Sequence, residues 1–447
     1  MLSELILSES FHTMLLGMAL ALLALYVKSH KTQLPPTPGL ALPVLGHLYR
    51  LEKNPRKQFL EWGKKFGPLV SLYMGNQLAI VIYGYDAIKE AFVKNADVFS
   101  DRPKTFLTQM LGKDRGFVTS GTHWREQRKV TIEILRELGL GSNVMEEKVQ
   151  TEVTLLVKAI DDLHGEPFDP RPVTMLSISN IIAALMFGTD FRHSDSKMAA
   201  CARLIGDQIS LIESAAVLNF LPFLRHLPGD IFGFYKVLNL AESLEQGLIK
   251  EQIGIHKANN QTSHDFVSGY LNKMAEQTDG VNSDINEENL TAVVSNLFAA
   301  GTETTSTTLT WSLLYLLHHP EVTERCYSEI VTHIGKDRRA TFNDRHKARY
   351  IVATVMEIQR FASIAPFSLQ HTASRDIMFR DYVIPKGTII MPCLDSVHFS
   401  EEIWGDPHNF RPDRFLDDSG QVIKREELIP FSIGQYSCFV YDKRRSN

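Results

Sequence analysis

Cysteine is scarce in this chain and never closely spaced. Four occur in 447 residues, at Cys201, Cys326, Cys393 and Cys438, and no two form a C-x-x-C pair. That pattern excludes the usual zinc spacings and a disulfide framework, and it fits a reducing compartment. A basic excess is also missing, since 47 Lys and Arg stand against 52 Asp and Glu, a formal net charge of −5. Nucleic-acid binders normally show the opposite imbalance, so no nucleic-acid partner is expected. Internal repeats and low-complexity tracts are absent as well. What is present is apolar bulk: 44% hydrophobic residues can bury a large core, and length alone is compatible with more than one domain.

One apolar run stands out. Phe11 to Val27 carries no formal charge over 17 residues, the short end of what spans a bilayer. Glu4 and Glu9 precede it and Lys28 and Lys31 follow, the reverse of a cleaved secretory signal. By the positive-inside rule everything after Lys28 faces the cytosol. Residues 1–33 are therefore expected to be a membrane anchor. Pro35, Pro36, Pro38 and Pro43 hold the following stretch extended, so residues 34–46 read as a stiff spacer.

Short β-rich runs are expected at Leu69–Tyr73 with Leu78–Ile82, and again around Tyr382–Pro392. Helical periodicity covers most of the remainder, for example Val149–Leu163, Val173–Met186 and Val237–Ile253. The most polar stretch, His256 to Glu288, reads as a surface connection or a poorly ordered loop, with a domain boundary as a further alternative that no change in composition supports. The sequons at Asn260 and Asn289 are chance matches in a cytosolic domain.

Glu287 to Leu317 predicts one long helix. Asn286 caps it, Glu287 and Glu288 suit its positive start, and Pro320 stops it. At ~1.5 Å per residue it is roughly 45 Å long, enough to cross a domain, and its apolar or small residues nearly all round predict burial. Its centre, Ala300-Gly301-Thr302-Glu303-Thr304-Thr305, is poor helix material: glycine costs up to about 1 kcal/mol and threonine ranks low. Ala300 and Thr304 share a face where a flat ligand can approach a hydroxyl near an acid. Packing and function explain this centre about equally well on its own. Farther on, Glu357 and Arg360 stand three apart on a helix and can pair, a signal of little weight alone. Behind them come Asn409-Phe410-Arg411-Pro412-Asp413-Arg414-Phe415 and Phe431-Ser432-Ile433-Gly434-Gln435-Tyr436-Ser437-Cys438.

The order A-G-x-E-T-T, E-x-x-R, F-x-P-x-R-F and F-S-x-G-x-x-x-C resembles a cytochrome P450. Phe99-Ser100-Asp101-Arg102-Pro103 and the proline hinge resemble the microsomal animal branch that includes the drug- and steroid-metabolising families. The resemblance covers almost the whole chain from the anchor to Cys438. It implies a mainly α-helical haem domain with a small β portion over residues 47–447, holding haem b. Cys438 would be the thiolate ligand of the iron, which favours O–O cleavage. Glu303 and Thr304 would deliver protons to bound dioxygen, with Ala300 and Gly301 making room. Glu357, Arg360 and Arg414 would pair structurally. Trp124, Arg128, Arg115 and His371 match contacts to the two haem propionates, which need donors when buried. The implied reaction inserts one oxygen atom into a lipophilic substrate, with electrons from an NADPH-dependent flavoprotein reductase and cytochrome b5 as a further candidate donor. The implied place is the endoplasmic reticulum membrane, facing the cytosol.

The resemblance breaks around the ligand. Where the family pattern F-x-x-G-x-R-x-C-x-G has arginine and glycine, this chain has Tyr436 and Val440. The family continues past the cysteine into a long apolar helix, whereas here the polar residues 439–447 follow, so the terminus reads as truncated or variant. Two rivals to the monooxygenase follow: an inactive membrane-anchored fold without stable haem, kept open by Tyr436 and Val440, and a haem-thiolate isomerase, disfavoured by Glu303 and Thr304.

Overall fold

The computed structural model describes residues 33–116, 121–139, 143–189, 195–259, 264–276 and 284–434. Phe11–Val27, Tyr436, Cys438 and Val440 lie outside them. The chain gathers into two compact units. Among the described residues, the first takes 33–103, Phe367–Ser396 and 433–434, and the second takes the rest.

The first unit holds the β structure. Helix α1 (Arg56–Phe66) precedes strands β1 (Leu69–Met74) and β2 (Gln77–Tyr83), an antiparallel pair in which Met74 faces Gln77 across a tight turn. Gly75 takes φ 62° in that turn, a conformation that glycine adopts without a steric penalty. Strand β3 (His371–Thr372), the hairpin of β4 (Ile377–Phe379) and β5 (Tyr382–Ile384), and β6 (Ile389–Cys393) come from far along the chain. The sheet order is β1-β2-β6-β3, with β6 parallel to β2 and antiparallel to β3. Every residue of β6 is buried, as its unbroken apolar run requires of a strand paired on both sides. The strands expected from sequence are all here. The proline-rich stretch is fastened to this unit, for Ser71 donates from its backbone N–H to Pro36 O (2.8 Å) and from its hydroxyl to Pro35 O (2.7 Å).

The second unit is helical. Its helices include α2 (Thr122–Glu137), α3 (Asn143–Asp161), α4 (Pro170–Phe187), α5 (Ser196–Ala215) and α6 (Phe234–Leu244). A π-turn at Glu245–Ile249 leads into α7 (Lys250–Asn259), so the single helix expected at Val237–Ile253 is wound in three pieces. Then follow α8 (Phe266–Ala275), α9 (Glu287–His318), α10 (Pro320–His333) and α11 (Arg349–Ala362). One core joins Val130 and Ile134 of α2, Met186 and Phe187 of α4, Ile205 of α5, Tyr270 of α8, and Val293, Val294 and Phe298 of α9.

Two expectations need correction. The polar stretch His256–Glu288 is not simply a surface connection, because it contains α8, whose Phe266, Val267 and Tyr270 are fully buried. Its polar residues are satisfied inside: Asp265 caps α8 by accepting from Ser268 N (2.8 Å) and faces His256 Nε2 at 3.2 Å, both side chains being buried. The long helix runs as expected, with Asn286 accepting from Asn289 N (2.9 Å), but only its first part is buried. From Ala300 onward it exposes Thr304, Thr305, Trp311, Leu313, Leu314 and Leu317. Among the described residues one helix, α4, is long and apolar enough to cross a bilayer, and half of it is buried in this core.

Candidate active site

The geometry begins on α9. Thr304 is exposed and donates its hydroxyl to Ala300 O at 2.7 Å, the back-bond that threonine makes within a helix. Ala300, one turn earlier, is exposed too, while Thr302 and Ser306 on other faces are buried. The helix therefore presents a small, hydroxyl-bearing surface at mid-length. Gly301 faces α4, where an added Cβ would stand 2.9 Å from Ile182 Cδ1 and push that side chain aside. Glu303 points its Oε1 at Arg171 (3.1 Å), at the start of α4, and accepts there from the Thr307 hydroxyl (3.3 Å). Its Oε2 is buried with no hydrogen-bond partner among the described residues. Half of this carboxylate is committed and half is available.

The expected propionate donors fall into separate groups. Trp124 and Arg128 lie together on α2, the buried indole ring 5.3 Å from the guanidinium carbon. Arg115 instead pairs with Glu288 in the first turn of α9 at 2.6 Å, and the next residue, Gly116, donates its N–H to Asn289 Oδ1 (3.2 Å). His371 belongs to the first unit, on β3. Its buried ring packs on Phe92 at 4.6 Å, and burial drives its pKa down to about 3, helped by the Arg102 guanidinium, so it is a neutral donor at physiological pH. Sequence reasoning gave Arg102 no part beside His371, and missed that contact although Arg102 stands in the quoted Phe99–Pro103 motif. It donates to Leu369 O (3.0 Å) and Gln370 O (2.8 Å), just before His371. Arg171 was missed too, and no signal in the sequence pointed to it.

The pairing of Glu357, Arg360 and Arg414 is complete and buried. Arg360 grips Glu357 with Nε and Nη2, both at 2.8 Å, Arg414 Nε adds a bond at 3.1 Å, and Arg411 N another at 2.9 Å. Arg414 also donates to the carbonyls of Trp404, Asp406 and Asn409, so this one carboxylate organises the whole turn Pro412–Phe415.

Burial disfavours the thiolate form at three of the four cysteines. Burial raises the thiol pKa of Cys201 to about 11 and that of Cys393 to about 12, and it raises Cys326 as well. Among the described residues no three His, Cys, Asp or Glu side chains gather to hold a metal ion.

The family model for Cytochrome P450 matches residues 35–439, and the chain belongs to the cytochrome P450 family, whose members are haem-thiolate monooxygenases that bind haem b. It is similar to "Cytochrome P450 2C3" of Oryctolagus cuniculus, with 34% identity over 432 residues, 95% of this chain and 88% of that protein. Likewise it is 37% identical over 384 residues to "Cytochrome P450 2U1" of Bos taurus (84% and 70%), and 35% over 416 residues to "Cytochrome P450 2C8" of Homo sapiens (91% and 84%).

The residues in place suit haem b. Its two carboxylates would call for cations and N–H donors, groups of the kind that Arg128, Trp124 and Arg115 carry in the second unit. The small face at Ala300 and Thr304, with an uncommitted carboxylate oxygen on the next turn, suits oxygen chemistry that consumes protons.

Proposed function

We propose that the chain inserts one oxygen atom from O2 into a lipophilic small molecule, a fatty acid, steroid or xenobiotic, and that Cys438 ligates the haem iron. The observation that carries this is the centre of α9, where Ala300 and Thr304 are exposed beside the half-committed Glu303. Bound haem supplies the activation of dioxygen. Thr304 spends its hydroxyl proton on Ala300 O, which leaves its oxygen lone pairs to accept a proton or order a water. Glu303, the preceding residue, keeps Oε2 uncommitted and would relay a proton there once it has taken one up, while Arg171 and Thr307 fix the opposite oxygen and so the orientation of the carboxyl. Arg128 and Trp124, with Arg115, would hold the propionates, and Gly301 packs against Ile182 of α4.

Electrons would come from an NADPH-dependent flavoprotein reductase, with cytochrome b5 as a second donor. The chain is read as an anchor at 1–33, a hinge at 34–46 and a haem domain at 47–447 facing the cytosol from the endoplasmic reticulum membrane. The test is a spectrum of the purified protein, reduced and exposed to carbon monoxide. A strongly red-shifted band, lost in Cys438→Ser, supports the reading. A second reading, an inactive anchored fold without stable haem, is favoured by Tyr436 and Val440 in place of the motif's arginine and glycine, and the complete absence of that band selects it.

A further inference from the structure

His398 lies outside every motif that the family likeness picks out, yet its side chain is completely buried and both ring nitrogens are engaged. Nε2 faces the backbone N–H of Ile429 at 3.2 Å, and Nδ1 faces the Ser363 hydroxyl at 3.1 Å. An N–H can only donate, so Nε2 carries no proton. A neutral imidazole then holds its single proton on Nδ1 and donates it to Ser363 Oγ. The carbonyl of His398 accepts from Arg360 Nη1 at 2.6 Å, and that of Val397 accepts from Trp404 Nε1 at 2.8 Å. His398 is thus fixed at its backbone by the Glu357–Arg360–Arg414 cluster, and its ring reaches from there in two directions.

Both targets matter. Ser363 is the left-handed residue (φ 36°) that terminates α11, one turn beyond Arg360. Ile429 is fully buried and opens a turn closed by Ser432 N to Ile429 O at 2.9 Å. The chain leaving that turn reaches Cys438 nine residues after Ile429. A single imidazole therefore joins the end of the Glu–Arg helix to the strand of chain that delivers the cysteine.

We propose that His398 is a positioning residue for the ligand loop: in its Nδ1–H form it clamps residues 428–432 to the buried ion cluster and so sets where Cys438 is presented. The proposal rests on the reading of Cys438 as iron ligand. It makes a specific chemical demand, an acceptor toward Ile429 and a donor toward Ser363 at fixed spacing. Glutamine can keep the acceptor toward Ile429, asparagine reaches only as far as Ser363, and leucine keeps neither.

The test uses the full chain with His398→Gln, His398→Asn and His398→Leu. Amide hydrogen exchange at Ile429 is measured without added haem, and haemin titration followed by reduction and carbon monoxide reads the thiolate band. Exchange at Ile429 is expected to quicken roughly tenfold in the Asn and Leu variants, as loss of one buried hydrogen bond implies. The Gln variant should stay near wild type, and the thiolate band should weaken in the same order. Equal exchange in all four proteins overturns the clamp. Faster exchange with an unchanged band overturns its link to the cysteine. A wild-type chain that takes up haemin without a thiolate band retires Cys438 itself, and His398 is then a structural fastener only.

Discussion

Replacing Glu357 by glutamine keeps the shape of the side chain and removes its charge. In the native protein this carboxylate receives four hydrogen bonds, from Arg360 Nε and Nη2, Arg414 Nε and Arg411 N. Glu357 and Arg360 are fully buried and Arg414 nearly so; the variant leaves the Arg360 guanidinium without a counter-charge, while Arg414 keeps Asp406 at 3.1 Å. Removing one member of a buried ion group costs about 3–5 kcal/mol, because the surviving charge stays in a poor solvent. Against the ~5–15 kcal/mol that holds a domain folded, that is about a fifth of the margin or more. Urea unfolding followed by tryptophan fluorescence reads it directly, since Trp404 lies 5.3 Å from the Arg360 guanidinium and 5.9 Å from that of Arg414. The midpoint should fall steeply for Glu357→Gln and hardly move for Asp97→Asn, whose ion pair with Arg375 is exposed and worth at most ~1 kcal/mol. If Glu357→Gln costs less than about 1 kcal/mol, the cluster is not a keystone of the second unit and the reasoning fails.

Gly301→Ala should destabilise by about 1–2 kcal/mol, the overpacking against Ile182 outweighing the gain in helix propensity, and Ile182→Val should return most of it in a thermal unfolding cycle. A more stable Gly301→Ala protein refutes the packing role. His371 should make stability fall with acid. Its folded pKa near 3 lies below the ordinary 6.5, so the unfolded chain binds the extra proton, and stability complete above pH 6.5 drains away as pH drops toward 3. His371→Gln should flatten that part of a urea-midpoint against pH profile. In haem-loaded protein Thr304→Ala should keep the haem content but divert electrons to peroxide, and unaltered coupling removes Thr304 from proton delivery. For the anchor, the full chain should resist carbonate extraction while a chain starting at Lys31 is released more readily, and equal release of the two counts against Phe11–Val27.

The sequence was informative wherever chemistry is local. Asn286 and Pro320 bracket α9, and period-two runs locate β1 and β2. It was silent on what faces what. Glu357 and Arg360 were visible as an i, i+3 pair and the resemblance added Arg414, but the Arg411 N–H that also bonds Glu357, more than fifty residues on, was not. The stretch around α8 was misread because hydropathy cannot tell a solvated histidine and aspartate from a pair that satisfies itself in the core. Nothing in the sequence places Ile182 against Gly301.

The parallel pairing of β2 with β6 has a consequence in time. Gln77 at the start of β2 bonds to Gly387 across 310 residues of chain, so the β1–β2 hairpin emerges from the ribosome long before its neighbour exists. At ~5–20 residues per second the wait is on the order of 15–60 s. Throughout that interval the hydrogen-bonding edge of an apolar strand, Ala79 to Tyr83, is open to any other extended chain. The most hazardous moment in the life of this protein thus falls during its synthesis, and a strand built more than three hundred residues later is what ends it.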